Sequence, residues 1–182
     1  GLMNFSGCGN DFRAKSPMAL RLIKDSLRAM VEKYGADGFR FDLAELLGFG
    51  ALREIESFVK KIKPSAVLIA EPWSFRGHIG EALRSTGYAS WNDGFREFML
   101  SYALGRGNFD GFKYFISGSR GGYARFPAQT VNYLESHDDK CLLDRISPSP
   151  ETPSEEDLRR YKLAYALVFL SIGIPMAAEG FD

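Results

Sequence analysis

The amino-acid sequence predicts an α/β fold with a parallel sheet, and two observations support this class. Strand-like and helix-like segments alternate along the chain, which is typical of βαβ units. One strand-like segment, residues 66–70, is a continuous apolar run, as expected for a strand that is covered on both faces of a parallel sheet. The chain has 182 residues, of which 45% are hydrophobic, so it can bury a core and we expect one domain.

The first half of the chain contains two helix-strand pairs. Apolar residues at three-to-four spacing predict a helix over 16–35, and alternating aromatic and charged residues predict a strand over 38–43. A second amphipathic helix covers 52–62 and is closed by Pro64. The apolar strand 66–70 follows it.

The second half continues the alternation. The stretch 105–122 is rich in glycine, and we expect it to be the least structured part of the chain. The other predicted elements are a strand over 88–92, a helix over 95–102, a strand over 130–136, a helix that Thr152 caps, and a short strand over 174–178.

Charge and composition exclude several classes of protein. The 23 basic and 23 acidic side chains cancel, whereas proteins that bind nucleic acids or membrane surfaces usually carry a basic excess. The two cysteines, Cys8 and Cys141, are too few and too far apart for a disulfide framework or a thiolate metal site. Residues 1–5 lack the basic and apolar regions of a secretory leader. We therefore expect no nucleic-acid or membrane partner, and a cytoplasmic rather than a secreted protein.

Three of the predicted strands run into a carboxylate: Asp42, Glu71 and Asp138. Because the carboxyl ends of parallel strands line one rim, where α/β enzymes host their chemistry, we expect these side chains to converge. The structural alternative is that each is an ion-paired carboxylate at the rim, since an unpaired one at the end of an apolar strand would be costly.

The surroundings of Asp42 and Glu71 predict different charge states. Arg40 lies two residues before Asp42 on the same strand face, within reach of it, and would keep Asp42 ionised. Glu71 has no cation beside it in the sequence and precedes Pro72 and Trp73, an apolar setting that is expected to raise its pKa. One ionised and one protonated carboxyl is the pair that glycoside hydrolysis requires.

Further side chains are candidates for binding a sugar. His137 could contact sugar hydroxyls, although a lone histidine is more often a structural residue. Trp73, Tyr88 and Trp91 could stack on sugar rings, although packing in the core is the safer interpretation for any one of them. Asp139, next to Asp138, could equally belong to a solvated turn.

Three motifs resemble known signature regions. Residues 38–42 (Gly-Phe-Arg-Phe-Asp), 70–73 (Ala-Glu-Pro-Trp) and 132–138 (Asn-Tyr-Leu-Glu-Ser-His-Asp) resemble the second, third and fourth signature regions of the α-amylase superfamily, glycoside hydrolase family 13. They occur in the family's order and at plausible spacing.

The flanking segments are most similar to the debranching branch of that superfamily, which contains pullulanase, isoamylase and bacterial glycogen debranching enzymes. The similarity rests on residues 5–11, 91–93, 129–133 and 173–175, so it extends over essentially the whole chain. It implies a retaining α-glucan hydrolase that acts on starch, glycogen or a pullulan-like polysaccharide at α-1,6 branch points. We expect no cofactor, and although relatives can bind calcium elsewhere, this sequence shows no cluster of metal ligands.

The resemblance also assigns roles to residues. It implies that Asp42 forms a covalent glycosyl intermediate, that Glu71 is general acid and then base, and that Asp138 grips the sugar hydroxyls. Asp139 stands where relatives often have Asn or Gly. The candidate substrate-binding residues are Arg40, Trp73, His137 and Asp139.

The family fold is a (β/α)8 TIM barrel, and the five predicted strands would be its strands four to eight. Residues 1–182 would then be the C-terminal part of the catalytic barrel, and the family's first signature region would precede Gly1. Such a partial barrel has two open sheet edges, through which a homodimer could form. We do not expect the isolated segment to be active by itself.

Three alternatives remain open at this stage. The enzyme could act on α-1,4 bonds as amylases do, or the chain could be a non-catalytic fragment that binds glucan. A third alternative is a barrel in which Asp42, Glu71 and Asp138 bind Mg²⁺. Arg40 argues against this last one, because a guanidinium beside the ligands would repel the ion.

Overall fold

The computed structural model describes residues 3–180. Of residues 1–5, which lack the features of a secretory leader, the first two therefore lie outside the described part. The chain divides into two compact units, one up to Ser90 and one from Trp91 onward. None of the helices in the described range is long and apolar enough to cross a membrane.

The first unit alternates helices with parallel strands. Its last strand is β5 (Ala89–Trp91), of which the first two residues belong to the first unit and Trp91 to the second. The elements before it, in chain order, are α1 (Pro17–Tyr34), β1 (Gly38–Phe41), α2 (Ala44–Leu47), α3 (Phe49–Ile62), β2 (Val67–Ala70), β3 (Trp73–Ser74), β4 (Gly77–His78) and α4 (Gly80–Leu83).

Helix α1 confirms the prediction over 16–35. Ser16 is its N-cap residue and Pro17 its first residue, where the missing N–H of proline costs nothing. Gly35 ends the helix with φ of 70°, a left-handed conformation that glycine adopts without a steric penalty, and its N–H donates to the Val31 carbonyl.

The sheet of the first unit sets the register of the predicted site. Strands β1 and β2 pair in parallel, with Phe41 opposite Ala70, and β2 pairs in parallel with β5. Asp42 and Glu71 therefore leave neighbouring strands at the same level. At the other end of β1, a Cβ on Gly38 would lie 2.3 Å from the Val67 carbonyl oxygen, so this position accommodates only glycine.

The core of the first unit lies between α3 and the sheet. Leu52, Ile55 and Val59 on α3 are fully buried, as is Leu68 on β2. Burying an aliphatic side chain of this size stabilises a fold by about 1.5–3 kcal/mol, so this layer holds the strands that carry the site. Tyr88, just before β5, is also buried, and its hydroxyl donates to the Leu52 carbonyl at 3.0 Å.

In its described part, the second unit contains four α-helices and a second pair of parallel strands. Strands β6 and β7 pair with Val131 opposite Ile174. The elements are α5 (Asp93–Ala103), α6 (Phe109–Ile116), a 3₁₀ turn (Pro127–Gln129), β6 (Thr130–Asn132), α7 (Leu142–Ile146), α8 (Glu155–Leu170) and β7 (Ile174–Pro175). The α/β class with a parallel sheet, predicted from the sequence, is thereby confirmed.

Two expectations about the second unit are corrected. The glycine-rich stretch 105–122 contains a regular helix, α6, which Asn108 caps by accepting from the Gly111 N–H at 2.7 Å. The last helix begins later than expected, because Ser154 rather than Thr152 caps it. Ser154 forms a reciprocal capping box with Asp157, and this satisfies backbone N–H groups on both sides of the helix start.

The core of the second unit gathers around α5 and α8. Its packing includes stacked aromatic rings, such as Phe98 on Phe115 with centroids 4.9 Å apart. Its most buried side chains are Phe95, Met99, Leu134, Leu142, Ala164 and Val168.

Candidate active site

Asp42 and Glu71 occupy the carboxyl ends of β1 and β2, and one guanidinium serves both. In Arg40, Nη1 lies 2.8 Å from Asp42 Oδ1 and Nη2 lies 3.2 Å from Glu71 Oε1. The predicted pairing of Arg40 with Asp42 is confirmed. Glu71 has no cation beside it in the sequence, and the structure adds one from the neighbouring strand, Arg40.

Glu71 is held in place by backbone groups as well. Its second oxygen, Oε2, accepts the N–H of Leu43 at 2.7 Å, and its own N–H donates to the Phe41 carbonyl at 2.9 Å. Leu43 adopts a left-handed conformation, with φ of 41°, which is uncommon for a residue other than glycine. This turn directs the Leu43 N–H at the carboxyl group.

The environment of Glu71 favours its protonated form. The residue is only 2% exposed, and burial is the main cause that raises its pKa. The Leu43 N–H and then the charge of Arg40 act in the opposite direction, while the charge of Asp42 and a hydrogen bond with it add to the rise. The net pKa is raised, in the direction predicted from the sequence. The Asp42 side chain, by contrast, is 67% exposed.

A short hairpin, β3–β4, follows Glu71 directly. It carries Trp73, whose ring is partly exposed and stacks on that of His78 with centroids 6.2 Å apart. The hairpin is tied to α2 through Glu45. The Ser74 hydroxyl donates to Glu45 Oε2 at 2.5 Å, and Arg76 Nε donates to Glu45 Oε1 at 3.0 Å.

His137, Asp138 and Asp139 lie together in the second unit, in the loop after β6. His137 Nε2 is 3.3 Å from Asp138 Oδ2, and both side chains are exposed to solvent. Asp139 has a left-handed φ of 66°, and its Oδ2 lies 3.6 Å from Arg96 Nη1. His137 and Asp138 are thus accessible to a ligand, and Asp139 already faces a cation.

The aromatic candidates separate into two kinds. Tyr88 and Trp91 are buried, and Trp91 packs on Tyr133 and against the edge of His137, with centroids 5.2 and 6.0 Å away. For these two side chains the interpretation as core residues is confirmed. Among the three aromatic candidates, Trp73 is the one that is partly exposed.

The second unit also contains an open cavity of about 610 Å³. His137 lines it together with Trp91, Glu135, Cys141, Tyr161 and Met176. Across residues 3–180, no group of three or more His, Cys, Asp or Glu side chains is placed to hold a metal ion. The magnesium alternative therefore gains no support, and Arg40 lies against two of its supposed ligands.

Sequence reasoning missed several groups that shape the site. The Leu43 N–H and the hairpin with its Glu45 contacts gave no signal, because they depend on the backbone turn after β1 and on two-residue strands. Glu135 and Tyr165 were also missed. The one hint in the sequence is that Glu135 directly follows the apolar pair Tyr133 and Leu134 at the end of a predicted strand.

The chain is similar in sequence to several glucan-debranching enzymes, although no protein-family model matches it. It is 31% identical to a pullulanase of Bacillus subtilis, over 97% of this chain and 28% of that protein. It is 38% identical to the chloroplastic isoamylase 3 of Oryza sativa subsp. japonica, over 80% and 20%, and 34% identical to a glycogen debranching enzyme of Escherichia fergusonii, over 79% and 23%. The chain thus spans less than a third of the length of these relatives.

Solved structures of pullulanases contain a segment with the same fold. The type I pullulanase of Bacillus subtilis in complex with maltose superposes with a TM-score of 0.88 at 29% identity, over 99% of this chain and 29% of that one. The pullulanase of Anoxybacillus sp. LM18-11 in complex with maltotriose gives 0.87 at 31% identity, over 99% and 28%. The motifs at Asp42, Glu71 and Asp138 and these matches lead to one assignment: the chain is a homologue of pullulanase, isoamylase and glycogen debranching enzymes, within the debranching branch of the α-amylase superfamily.

Proposed function

We propose that the protein carrying this chain is a retaining α-glucan hydrolase that cleaves α-1,6 branch points in starch, glycogen or pullulan-like polysaccharides. The observation that carries the proposal is the pair at the ends of β1 and β2, in which a buried Glu71 with a raised pKa and an exposed Asp42 share the guanidinium of Arg40. The family of relatives supports the substrate class.

In the first step, the Asp42 carboxylate attacks the anomeric carbon while the Glu71 carboxyl gives its proton to the glycosidic oxygen. The bond between the anomeric carbon and that oxygen breaks, the leaving sugar departs as an alcohol, and an ester joins the retained sugar to Asp42. Glu71 is left as a carboxylate, which Arg40 and the Leu43 N–H can stabilise.

In the second step, Glu71 acts as a base. With Asp42 consumed in the ester, its negative charge no longer raises the Glu71 pKa, while Arg40 and the Leu43 N–H still lower it. The carboxylate form of Glu71 therefore persists and takes a proton from water. The resulting hydroxide equivalent attacks the anomeric carbon, which releases the sugar and the Asp42 carboxylate.

The spacing of the strands supports retention. Neighbouring strands lie about 4.7–4.9 Å apart, and Phe41 and Ala70, which precede the two carboxyl groups, are paired in register. Retaining glycosidases hold their two carboxyl groups about 5–5.5 Å apart, whereas inverting ones leave roughly 6.5–9.5 Å for a water molecule.

We propose that Asp138 and His137 bind sugar hydroxyls, that Trp73 stacks on a sugar ring and that Asp139 plays a minor part in binding.

We further propose that β1, β2, β5, β6 and β7 are strands four to eight of a (β/α)8 barrel, so that residues 1–182 are its C-terminal part. The parallel pairing within each unit and the order of the three motifs support this. Among the described residues, β1 pairs only with β2 and β7 only with β6. These free edges could also join two copies of the isolated chain, and its molar mass in solution measures that directly.

The proposed roles are tested by Asp42→Asn and Glu71→Gln in the protein that carries this chain. Each variant is expected to lose at least about a thousandfold in turnover of pullulan or glycogen, measured as reducing ends released. Asp25→Asn is the matched control, because Asp25 is an exposed carboxylate paired with Arg21 on α1. Near-normal turnover in either active-site variant refutes the assignment.

Product and substrate analysis separates the remaining alternatives. Retention predicts that the newly released reducing end is initially the α-anomer by NMR. Hydrolysis of amylose without hydrolysis of pullulan favours an α-1,4-acting enzyme. Binding of a branched dextrin without any turnover, unchanged in Asp42→Asn, favours a non-catalytic glucan-binding module.

A further inference from the structure

The loop 136–141, which carries His137 and Asp138, is largely exposed and has few contacts of its own. The His137–Asp138 pair at 3.3 Å and a hydrogen bond from the Asp138 N–H to the Ser136 hydroxyl, also 3.3 Å, lie within the loop. Contacts of this kind, open to solvent, contribute little to holding a loop in one conformation. Beyond the loop, His137 packs against the edge of Trp91 and Asp139 pairs with Arg96, so the remaining constraint on the two side chains comes from how the loop is anchored at its ends.

Glu135 provides that anchor. It is 9% exposed, and each of its two carboxylate oxygens has a different donor. Oε2 accepts the N–H of Leu142, the first residue after the loop, at 2.5 Å, while Oε1 accepts the hydroxyl of Tyr165 on α8. One side chain thus joins the two ends of the loop to each other and to the core, where Leu142 and Tyr165 are both buried.

The two contacts suit a carboxylate. Its two acceptor oxygens accept the Leu142 N–H and the Tyr165 hydroxyl at the same time, whereas glutamine has one acceptor oxygen and would keep both contacts only if the Tyr165 hydroxyl turned to accept from its NH₂ group. Burial, followed by the hydrogen bond to Glu135, raises the pKa of Tyr165, so the phenol stays protonated and remains a donor. A buried carboxylate with such partners is stable, and the loss of one partner is costly.

We propose that Glu135 is a positioning residue, which fixes the loop 136–141 so that Asp138 and His137 meet the sugar. The inference rests on the proposed function, because it concerns the residues to which that function assigns hydroxyl binding. Glu135, His137 and Cys141 also line the same cavity of about 610 Å³, so a shift of the loop changes the wall of that cavity.

The test measures binding of maltotriose by calorimetry in the protein that carries this chain, with Asp42→Asn present so that no ligand is turned over. Glu135→Gln is expected to weaken binding about tenfold. In an Asp138→Asn background the same change is expected to weaken binding less than about twofold, because the residue through which Glu135 acts has been altered. Glu156→Gln, which removes an exposed carboxylate on α8, is the control and is expected to leave the Kd unchanged.

Two outcomes overturn the inference: an unchanged Kd in Glu135→Gln, or equal weakening with and without Asp138→Asn. Neither depends on the test of the proposed function, which is the loss of turnover in Asp42→Asn and Glu71→Gln. A thermal unfolding curve accompanies each variant, so a loss of folding is recognised directly.

If Glu135→Gln does not fold, Tyr165→Phe takes its place. This variant removes the hydroxyl that donates to Glu135 and keeps the hydrogen bond that the Leu142 N–H donates to Glu135. Hydrogen exchange at the Leu142 amide is then expected to rise and the maltotriose Kd to increase roughly two- to fivefold. Faster exchange at Leu142 with an unchanged Kd shows that the anchor does not reach the binding side chains, and overturns the inference.

Discussion

Replacing Arg40 with methionine tests the central electrostatic argument, because this side chain contacts both Asp42 and Glu71. Methionine keeps much of the volume and removes the charge. The change deletes two charge-assisted contacts, at 2.8 and 3.2 Å, and leaves Glu71 buried without its cation. In the proposed mechanism, Arg40→Met is therefore expected to impair both the nucleophile, Asp42, and the acid, Glu71, which must become a carboxylate.

The size of the effect follows from these contacts. A hydrogen bond to a charged group is worth about 1.5–3 kcal/mol, so two of them sum to several kcal/mol. The Arg40 side chain is 28% exposed, and solvent screens part of this, which leaves about 3 kcal/mol. Because each 1.36 kcal/mol of barrier is about tenfold in rate, we expect kcat/KM on pullulan to fall roughly a hundredfold.

The pH dependence of kcat/KM provides an independent test, because the direction in which its alkaline limb moves is predicted. A positive charge beside Glu71 favours its ionised form, so Arg40 lowers the pKa of Glu71, and its removal raises that pKa further. In the proposed mechanism Glu71 is protonated at the start of the reaction, so the alkaline limb of kcat/KM would report its loss of a proton. In Arg40→Met this limb is expected to move to higher pH even as the maximum rate falls.

Two further variants serve as controls for Arg40→Met. Arg40→Lys keeps the charge without the fork that reaches both carboxyl groups, so it is expected to lie between the wild type and Arg40→Met. Arg21→Met removes an exposed guanidinium that pairs with Asp25 on α1 and is expected to change nothing. An alkaline limb that stays in place in Arg40→Met, or moves to lower pH, refutes the reasoning, as does an undiminished rate.

Three further predictions concern stability and the hairpin. Gly38→Ala places a methyl group 2.3 Å from the Val67 carbonyl oxygen and is expected to destabilise the fold by about 3 kcal/mol or more. The loss is measured as a lower midpoint of denaturant unfolding, and an unchanged midpoint contradicts the close approach. Ser154→Ala removes the capping box of α8 and is expected to cost about 1 kcal/mol in thermal unfolding, whereas the same change at the uncapped start of α1, Ser16→Ala, is expected to cost less. Glu45→Gln weakens the anchor of the hairpin and is expected to raise KM several-fold with little change in kcat; a fall in kcat alone argues against that role.

The parts of the site that could be predicted from the sequence are those set by local geometry. Arg40 and Asp42 are two residues apart on an extended chain, so their pairing follows from the strand period alone. The cation of Glu71 could not be predicted in this way, because it depends on which strand lies beside β2 and in which register. The same holds for the Leu43 N–H, whose direction depends on a left-handed turn that no leucine signals.

The errors in secondary structure also have physical causes. Thr152 followed by Pro153 looks like a helix start, but Ser154 with Asp157 three residues later satisfies more backbone N–H groups and sets the boundary. In the glycine-rich stretch, left-handed glycines such as Gly107 and Gly118 lie on either side of α6 rather than inside it. The glycine content of the whole stretch therefore gave no indication of the regular helix between Gly107 and Gly118.

The donor that the main chain offers to Glu71 has a practical consequence for engineering. The backbone N–H of Leu43 is lost only on exchange for proline, so the contact that orients the Glu71 carboxyl group does not depend on the side chain at position 43. The pKa of Glu71 can then be adjusted through the charges of Arg40 and Asp42, while the turn after β1 keeps the orientation of its carboxyl group.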